Sequence, residues 1–212
     1  MGLLDTLNSN PTYFFIILLS LVLSIGLHEF AHVFAAYLQG DDTGARMGRL
    51  TLNPLKHIDL IGLAAILLAG IGWGKPAPFN PNNLRFRRWG TFLVAIAGPL
   101  TNILLVAIFG YATTIFVGRF PDGNLMILFF STMAIMNASL AVFNLLPIPP
   151  LDGSRFLSAI LGHQHPLVQF LEQYGFYLVF GLIIIGPLIG LNLIGAWIQG
   201  GTSILFRLLG LA

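Results

Sequence analysis

The chain has 212 residues, 56% of them hydrophobic and only 8% charged, with ten Lys and Arg against eight Asp and Glu. An ordinary soluble domain carries about 25% charged residues, so this composition belongs to an all-α polytopic membrane protein and excludes a water-soluble enzyme. The net charge of +2 gives no sign of a nucleic-acid partner, and with no cysteine there is no disulfide framework, thiolate nucleophile or thiolate metal ligand.

Residues 1–10 contain Asp5 but no Lys or Arg. A first helix is predicted from Pro11 to Leu38: proline suits a helix start, and Gly40-Asp41-Asp42 marks the end. The apolar run from Tyr13 to Leu38 exceeds the roughly 20 residues that cross a bilayer. It lacks a basic leading segment, so it is expected to be a retained span rather than a cleaved signal peptide. Its only acidic or basic groups are His28, Glu29 and His32, in the order H-E-x-x-H. Residues four apart share a helix face, so both imidazoles point the same way. Two His at that spacing suit Zn²⁺, with the intervening Glu as general base. A charged group at membrane depth costs about 2.5–3.5 kcal/mol on insertion scales, so these residues need a partner, and a metal supplies one.

Residues 41–90 hold seven of the ten basic side chains: Arg46, Arg49, Lys56, Lys75, Arg85, Arg87 and Arg88. Between them lies a 13-residue apolar piece, Leu60–Gly72, too short to span comfortably. Basic flanks on both sides predict re-entry rather than crossing, with both flanks cytoplasmic. The prolines and asparagines of 74–83 predict extended chain and turns. A second helix is predicted from Trp89 to Val117, kinked at Gly98-Pro99, and a third from Leu125 to Leu146. The third ends in Asn144-Leu145-Leu146-Pro147-Ile148-Pro149-Pro150-Leu151-Asp152-Gly153, where three prolines forbid helix. Broken backbone at that depth is tolerated only where it lines a cavity or is buried in protein. Ser154–Glu172 reads as a polar connection and Tyr174–Ile189 as a fourth helix. Leu191–Leu211 is either a fifth span or an interfacial helix. No repeat and no long polar stretch appears, so one domain over 1–212 is expected, with its core at 11–165 and C-terminal helices at 174–211.

With the N-terminus outside, 41–90 and 154–172 are cytoplasmic and Arg119 is external. If the tail spans, Arg207 is cytoplasmic too, giving nine of ten basic residues inside.

A catalytic zinc takes three protein ligands and one open position. His28 and His32 leave a third to be found among His57, Asp59, Asp122, Asp152, His163, His165 and Glu172. Asp152 leads, because it follows a broken helix end that can reach back to the bundle, but Asp-Gly is also common in turns. Chemistry alone leaves this open.

His28-Glu29-Phe30-Ala31-His32 together with Asn144 to Gly153 resembles the site-2 protease family of intramembrane zinc metalloproteases. Ala97-Gly98-Pro99-Leu100-Thr101-Asn102 is similar to a stretch of the short prokaryotic members without PDZ or CBS domains. So is Asn53-Pro54-Leu55-Lys56-His57-Ile58-Asp59 followed by Gly72-Trp73-Gly74-Lys75-Pro76-Ala77-Pro78. The resemblance covers about residues 20–160 and implies a three-helix catalytic core with flanking helices. It implies one Zn²⁺ held by His28, His32 and Asp152, Glu29 as general base, and Asn144 steadying the substrate carbonyl or oxyanion. Asn102, His57 and Asp59 are candidates to line a substrate or water path. The implied activity is hydrolysis of peptide bonds in or near transmembrane segments of membrane-protein substrates, in the cell membrane of a prokaryote, from the cytoplasmic side. One departure is that no helix is expected before the motif-bearing one, which leaves shielding of the site to the C-terminal helices. Two rival readings are a metal-ion transporter and an inactive membrane binding protein of the same fold. A transporter would spread ligands over several helices and often use repeats, and a pure binder has no need of Glu29.

Overall fold

The fold is that of a computed structural model, which describes residues 3–69 and 72–211. Those residues form helices joined by turns, with two isolated β-bridges and no strand. The core is three helices packed on one another: α2 (Pro11–Leu38), α5 (Arg87–Phe116) and α6 (Leu125–Asn144). Each is long and apolar enough to cross a membrane, as is α8 (Pro166–Leu188). The chain is thus an all-α polytopic membrane protein, and the three-helix core matches the expected architecture.

Helix α2 starts where Asn10 accepts a side-chain hydrogen bond from the Tyr13 N–H, 3.0 Å away, with Pro11 in the first turn. A short helix, α1 (Leu3–Ser9), precedes it, contrary to the expectation that none would. At about 1.5 Å per residue it is too short to span, and it packs instead on α4 (Leu60–Ala69).

Helix α4 lies in the expected re-entrant segment, of which residues 70 and 71 fall outside the described residues. Its ten residues rise about 15 Å against a hydrocarbon core of about 30 Å. Asp59 begins it by accepting from the Gly62 N–H at 2.8 Å. The chain then returns to its starting point: Ile58 bridges Gly74 antiparallel, and the Lys75 N–H donates to the His57 carbonyl at 2.8 Å. Entry and exit are on one side. The returning chain passes so near α4 that a Cβ at Gly62 would collide with the Trp73 carbonyl.

After α6 the chain forms α7 (Ser154–Leu161) and α8. Helix α8 begins eight residues before the predicted Tyr174. Pro166 occupies its first turn and the His165 ring accepts from the Leu167 N–H. The first turns of α8 fall in the stretch that reads as a polar connection, and their Gln169, Glu172 and Gln173 lie on an exposed helix face. Helix α8 sits across the broken segment, Gly175 against Pro149 and Val179 in one apolar cluster with Leu146, Leu151 and Ile194.

Helix α9 (Leu193–Leu208) corrects the placement of the tail. It starts beside the end of α6, where Trp197 donates to the Val142 carbonyl at 2.8 Å and Gly201 abuts Val142. It ends beside Gly110 and Tyr111 of α5, whose hydroxyl donates to the Leu209 carbonyl. Phe109 of α5 meets Phe129 and Phe130 near the start of α6, so α9 runs antiparallel to α6. Arg207 therefore belongs to the end of the bundle that carries Arg119, not to the end that carries Arg155. The bias becomes eight of ten basic residues on one side, which keeps its sign.

Candidate metal centre

On α2, Ser20, Ser24, His28, His32 and Ala36 recur every four residues and all five are buried. This stripe turns both imidazoles into the junction with α5 and α6. The rings meet edge to face, with their Nε2 atoms 3.0 Å apart.

The third side chain comes from the broken segment. Asn144 ends α6, and its carbonyl accepts from the Gly153 N–H at 2.7 Å. That closure folds Leu145–Asp152 back over the helix end. A Cβ at Gly153 would lie 2.3 Å from the Leu145 carbonyl oxygen, so the closure needs glycine. It delivers Asp152, whose Oδ2 lies 3.2 Å from His28 Nε2 and 3.3 Å from His32 Nε2. Among the described residues these three form the one His, Asp and Glu group compact enough to hold an ion.

The donor set fits zinc. Ligand atoms about 2.0–2.1 Å from a tetrahedral ion lie about 3.3–3.4 Å from each other, and the observed spacings are 3.0, 3.2 and 3.3 Å. The imidazole tautomers also fit. His32 Nδ1 lies 2.7 Å from the Val94 carbonyl, and His28 Nδ1 lies 2.5 Å from Asn102 Oδ1. A carbonyl only accepts, so His32 carries its proton on Nδ1 and turns the Nε2 lone pair inward. The same holds for His28 if Asn102 presents its oxygen. Asp152 Oδ2 is buried with no hydrogen-bond donor. In these tautomers three acceptors face one another, an arrangement that suits a shared cation.

Helix α5 seals the other side. Its Gly98 backs directly on the rings: a Cβ there would lie 2.5 Å from His28 Cε1 and from His32 Nε2. Pro99, next to it, lacks an N–H, so the Ala95 carbonyl one turn before loses its helical donor; the neighbouring Val94 carbonyl faces His32 Nδ1.

Glu29, next along α2, faces the returning chain, where a Cβ on Gly74 would lie 3.4 Å from Glu29 Oε1. Arg49 is buried there, donating to the Lys75 carbonyl at 2.6 Å and interacting electrostatically with Glu29. Sequence reading counted Arg49 only among the basic residues of the loop, and nothing local marks it as buried. Asn144 Nδ2 donates to the Leu140 carbonyl at 3.0 Å, which leaves its second N–H unassigned. Of the path candidates, Asn102 is wholly buried against His28. His57 is wholly buried too and hydrogen-bonds the Thr51 carbonyl at 2.9 Å. Burial, aided by Arg49, holds the His57 imidazole pKa below its usual value against the pull of Thr51. Asp59 caps α4. His163 and Glu172 pair with each other at 3.0 Å on the surface, so neither is spare for the metal.

The family model described as "Peptidase family M50" matches residues 115–186, which include Asn144 and Asp152 but not the two histidines. The chain is 39% identical over 180 residues to the "Putative zinc metalloprotease YwhC" of Bacillus subtilis, covering 81% of each chain. It is 31% identical over 180 residues to the "Putative zinc metalloprotease Rip2" of Mycolicibacterium smegmatis, covering 81% of this chain and 67% of that one. It is 23% identical over 160 residues to the "Zinc metalloprotease MJ0392" of Methanocaldococcus jannaschii, covering 74% of this chain and 38% of that one. No solved structure matches significantly.

Proposed function

Since the chain belongs to peptidase family M50, the site-2 protease family of zinc metalloproteases, we propose that it hydrolyses peptide bonds within or near transmembrane segments of membrane-protein substrates. The observation that carries this reading is the convergence of His28 Nε2, His32 Nε2 and Asp152 Oδ2 inside a bundle of apolar helices, with Glu29 beside them. One Zn²⁺ per chain is held by those three atoms. The chain acts as a single domain over 1–212 in the cell membrane of a prokaryote, with the site toward the cytoplasmic side. Family membership favours neither the transporter nor the inactive binder.

A zinc ion held by His28, His32 and Asp152 would supply Lewis-acid polarisation of the scissile carbonyl and would acidify water to a pKa of about 7. Glu29 takes a proton from the attacking water as its oxygen bonds to the carbonyl carbon. The same carboxyl then gives that proton to the amide nitrogen as the C–N bond breaks. Asn144 keeps one N–H on Leu140 and turns the other to the developing oxyanion.

A helical substrate shields its peptide bonds, so an unwound segment has to be held. Gly74 pairs with Ile58 at a position where Lys75 makes the hydrogen bond to His57. The N–H and C=O of Gly74 therefore point away from Ile58, free to pair with an added strand, and Gly74 is close to Glu29.

The deciding experiment is Glu29→Gln, assayed in detergent on a single-span membrane substrate with zinc measured on the same samples. Gln is nearly isosteric but cannot take the proton. Zinc content should stay at wild-type level while cleavage falls 10²–10⁴-fold. Cleavage at the wild-type rate would refute the general-base role.

A further inference from the structure

We propose that Asn102 and Asn137 are positioning residues: a two-amide relay, anchored on the backbone carbonyl of Met133, that fixes the tautomer of His28 from the far side of the bundle. The inference rests on the zinc site described above and extends it to residues that touch neither metal nor substrate.

The relay is read by following donors. Asn137 Nδ2 lies 2.8 Å from the Met133 carbonyl and 2.8 Å from Ser24 Oγ. A backbone carbonyl can only accept, so the Asn137 amide must present its NH₂ there and turn its oxygen the other way. That oxygen lies 2.7 Å from Asn102 Nδ2. Asn102 therefore donates to Asn137 and turns its own oxygen to His28 Nδ1. His28 must then carry its proton on Nδ1, and the Nε2 lone pair is left facing His32 and Asp152. Ser24 closes the end of the chain by lying 3.9 Å from the Met133 sulfur, which accepts its hydroxyl proton.

Every member is sealed: Ser24, Asn102 and Asn137 have no exposed surface and Met133 has 1%. Water cannot substitute for a missing partner, so the orientation propagates. An Asn102 amide without Asn137 is free to flip, and a flipped amide would offer NH₂ to Nδ1 and pull the His28 proton onto Nε2. That tautomer cannot ligate. His32 needs no relay, because the Val94 carbonyl already sets its tautomer. One histidine is thus fixed by backbone directly and the other by backbone through two side chains on α5 and α6.

The test measures zinc affinity by chelator competition and, separately, the melting temperature of the metal-free protein. Asn137→Leu should weaken zinc binding about 10–100-fold, the usual effect of losing an outer hydrogen-bond partner of a ligand. Adding Asn102→Asp to that variant should restore affinity, because a carboxylate can only accept from His28 Nδ1 and needs no neighbour to orient it. The metal-free melting temperature should not recover with it. A packing role ties the two together and predicts that the double variant is worse in both. If Asn137→Leu fails to fold, single variants decide: Asn102→Asp should keep zinc within a few-fold, whereas Asn102→Leu should lose 10–100-fold. Equal loss in both, an unchanged Asn137→Leu, or a folded double variant as weak as Asn137→Leu overturns the relay. A wild-type protein that binds no zinc instead overturns the metal site beneath it.

Discussion

Gly98 is the residue whose smallest enlargement should damage the centre most. In Gly98→Ala the added methyl would lie 2.5 Å from His28 Cε1 and His32 Nε2 and 2.6 Å from His32 Cε1. Carbon contacts are comfortable at about 3.5–4.0 Å, so roughly 1 Å must be found. The rings cannot supply it without cost, because both Nδ1 atoms are tied, to Asn102 and Val94. If α5 moves away instead, the same two hydrogen bonds stretch. Overpacking of this kind costs about 1–3 kcal/mol. In the metal-free protein a His swinging out of the site relieves it, and zinc binding must pay it back. At 1.4 kcal/mol per tenfold, that is a loss of about 5–150-fold in affinity. Chelator competition on the purified protein reads this directly. Gly200→Ala is the control, since a Cβ there meets nothing within 4 Å. A Gly98→Ala protein binding zinc within twofold of wild type would refute the claim that α5 closes the site.

Asp152→Asn should bind zinc far more weakly than Glu29→Gln, because it removes a charged ligand rather than a base; metal analysis of the two side by side checks this, and equal occupancy would exclude Asp152 as a ligand. Asp41 ties the loop after α2 together, accepting from the Thr43 N–H and hydroxyl and from Asn80 and Asn83. Burial raises its pKa, but those hydrogen bonds outweigh it and hold the carboxyl below its usual value. Its contribution is therefore present above about pH 4 and lost as pH falls through the lower folded value. Asp41→Ala should cost about 2–3 kcal/mol near neutrality, and a gap to wild type that did not narrow on acidification would contradict the assignment. Single cysteines at Lys56, Arg87, Asp122 and Arg207 should label in two groups, Lys56 with Arg87 and Asp122 with Arg207; Arg207 labelling with Lys56 would contradict the direction of α9.

The sequence by itself determined what depends on short separations. The i, i+4 histidines with their glutamate, the length and apolarity of α2, α5 and α6, the proline break after Asn144 and the shortness of Leu60–Gly72 are all properties of neighbouring residues. They were enough to define the class, the core and the half of the candidate metal site that lies on one helix. Tertiary structure decided what depends on partners far along the chain. The third acceptor at 3.2–3.3 Å exists because Gly153 lets a loop close on the end of α6. Ser24 gains its role only through Asn137, 113 residues beyond it. The start of α8 was placed eight residues late because an exposed polar helix face and a loop have similar composition, and the direction of α9 stayed open because hydropathy carries no sign for direction. The tautomers of the two histidines are the furthest from the sequence, since a proton's position on a ring follows from which oxygen the fold places against it.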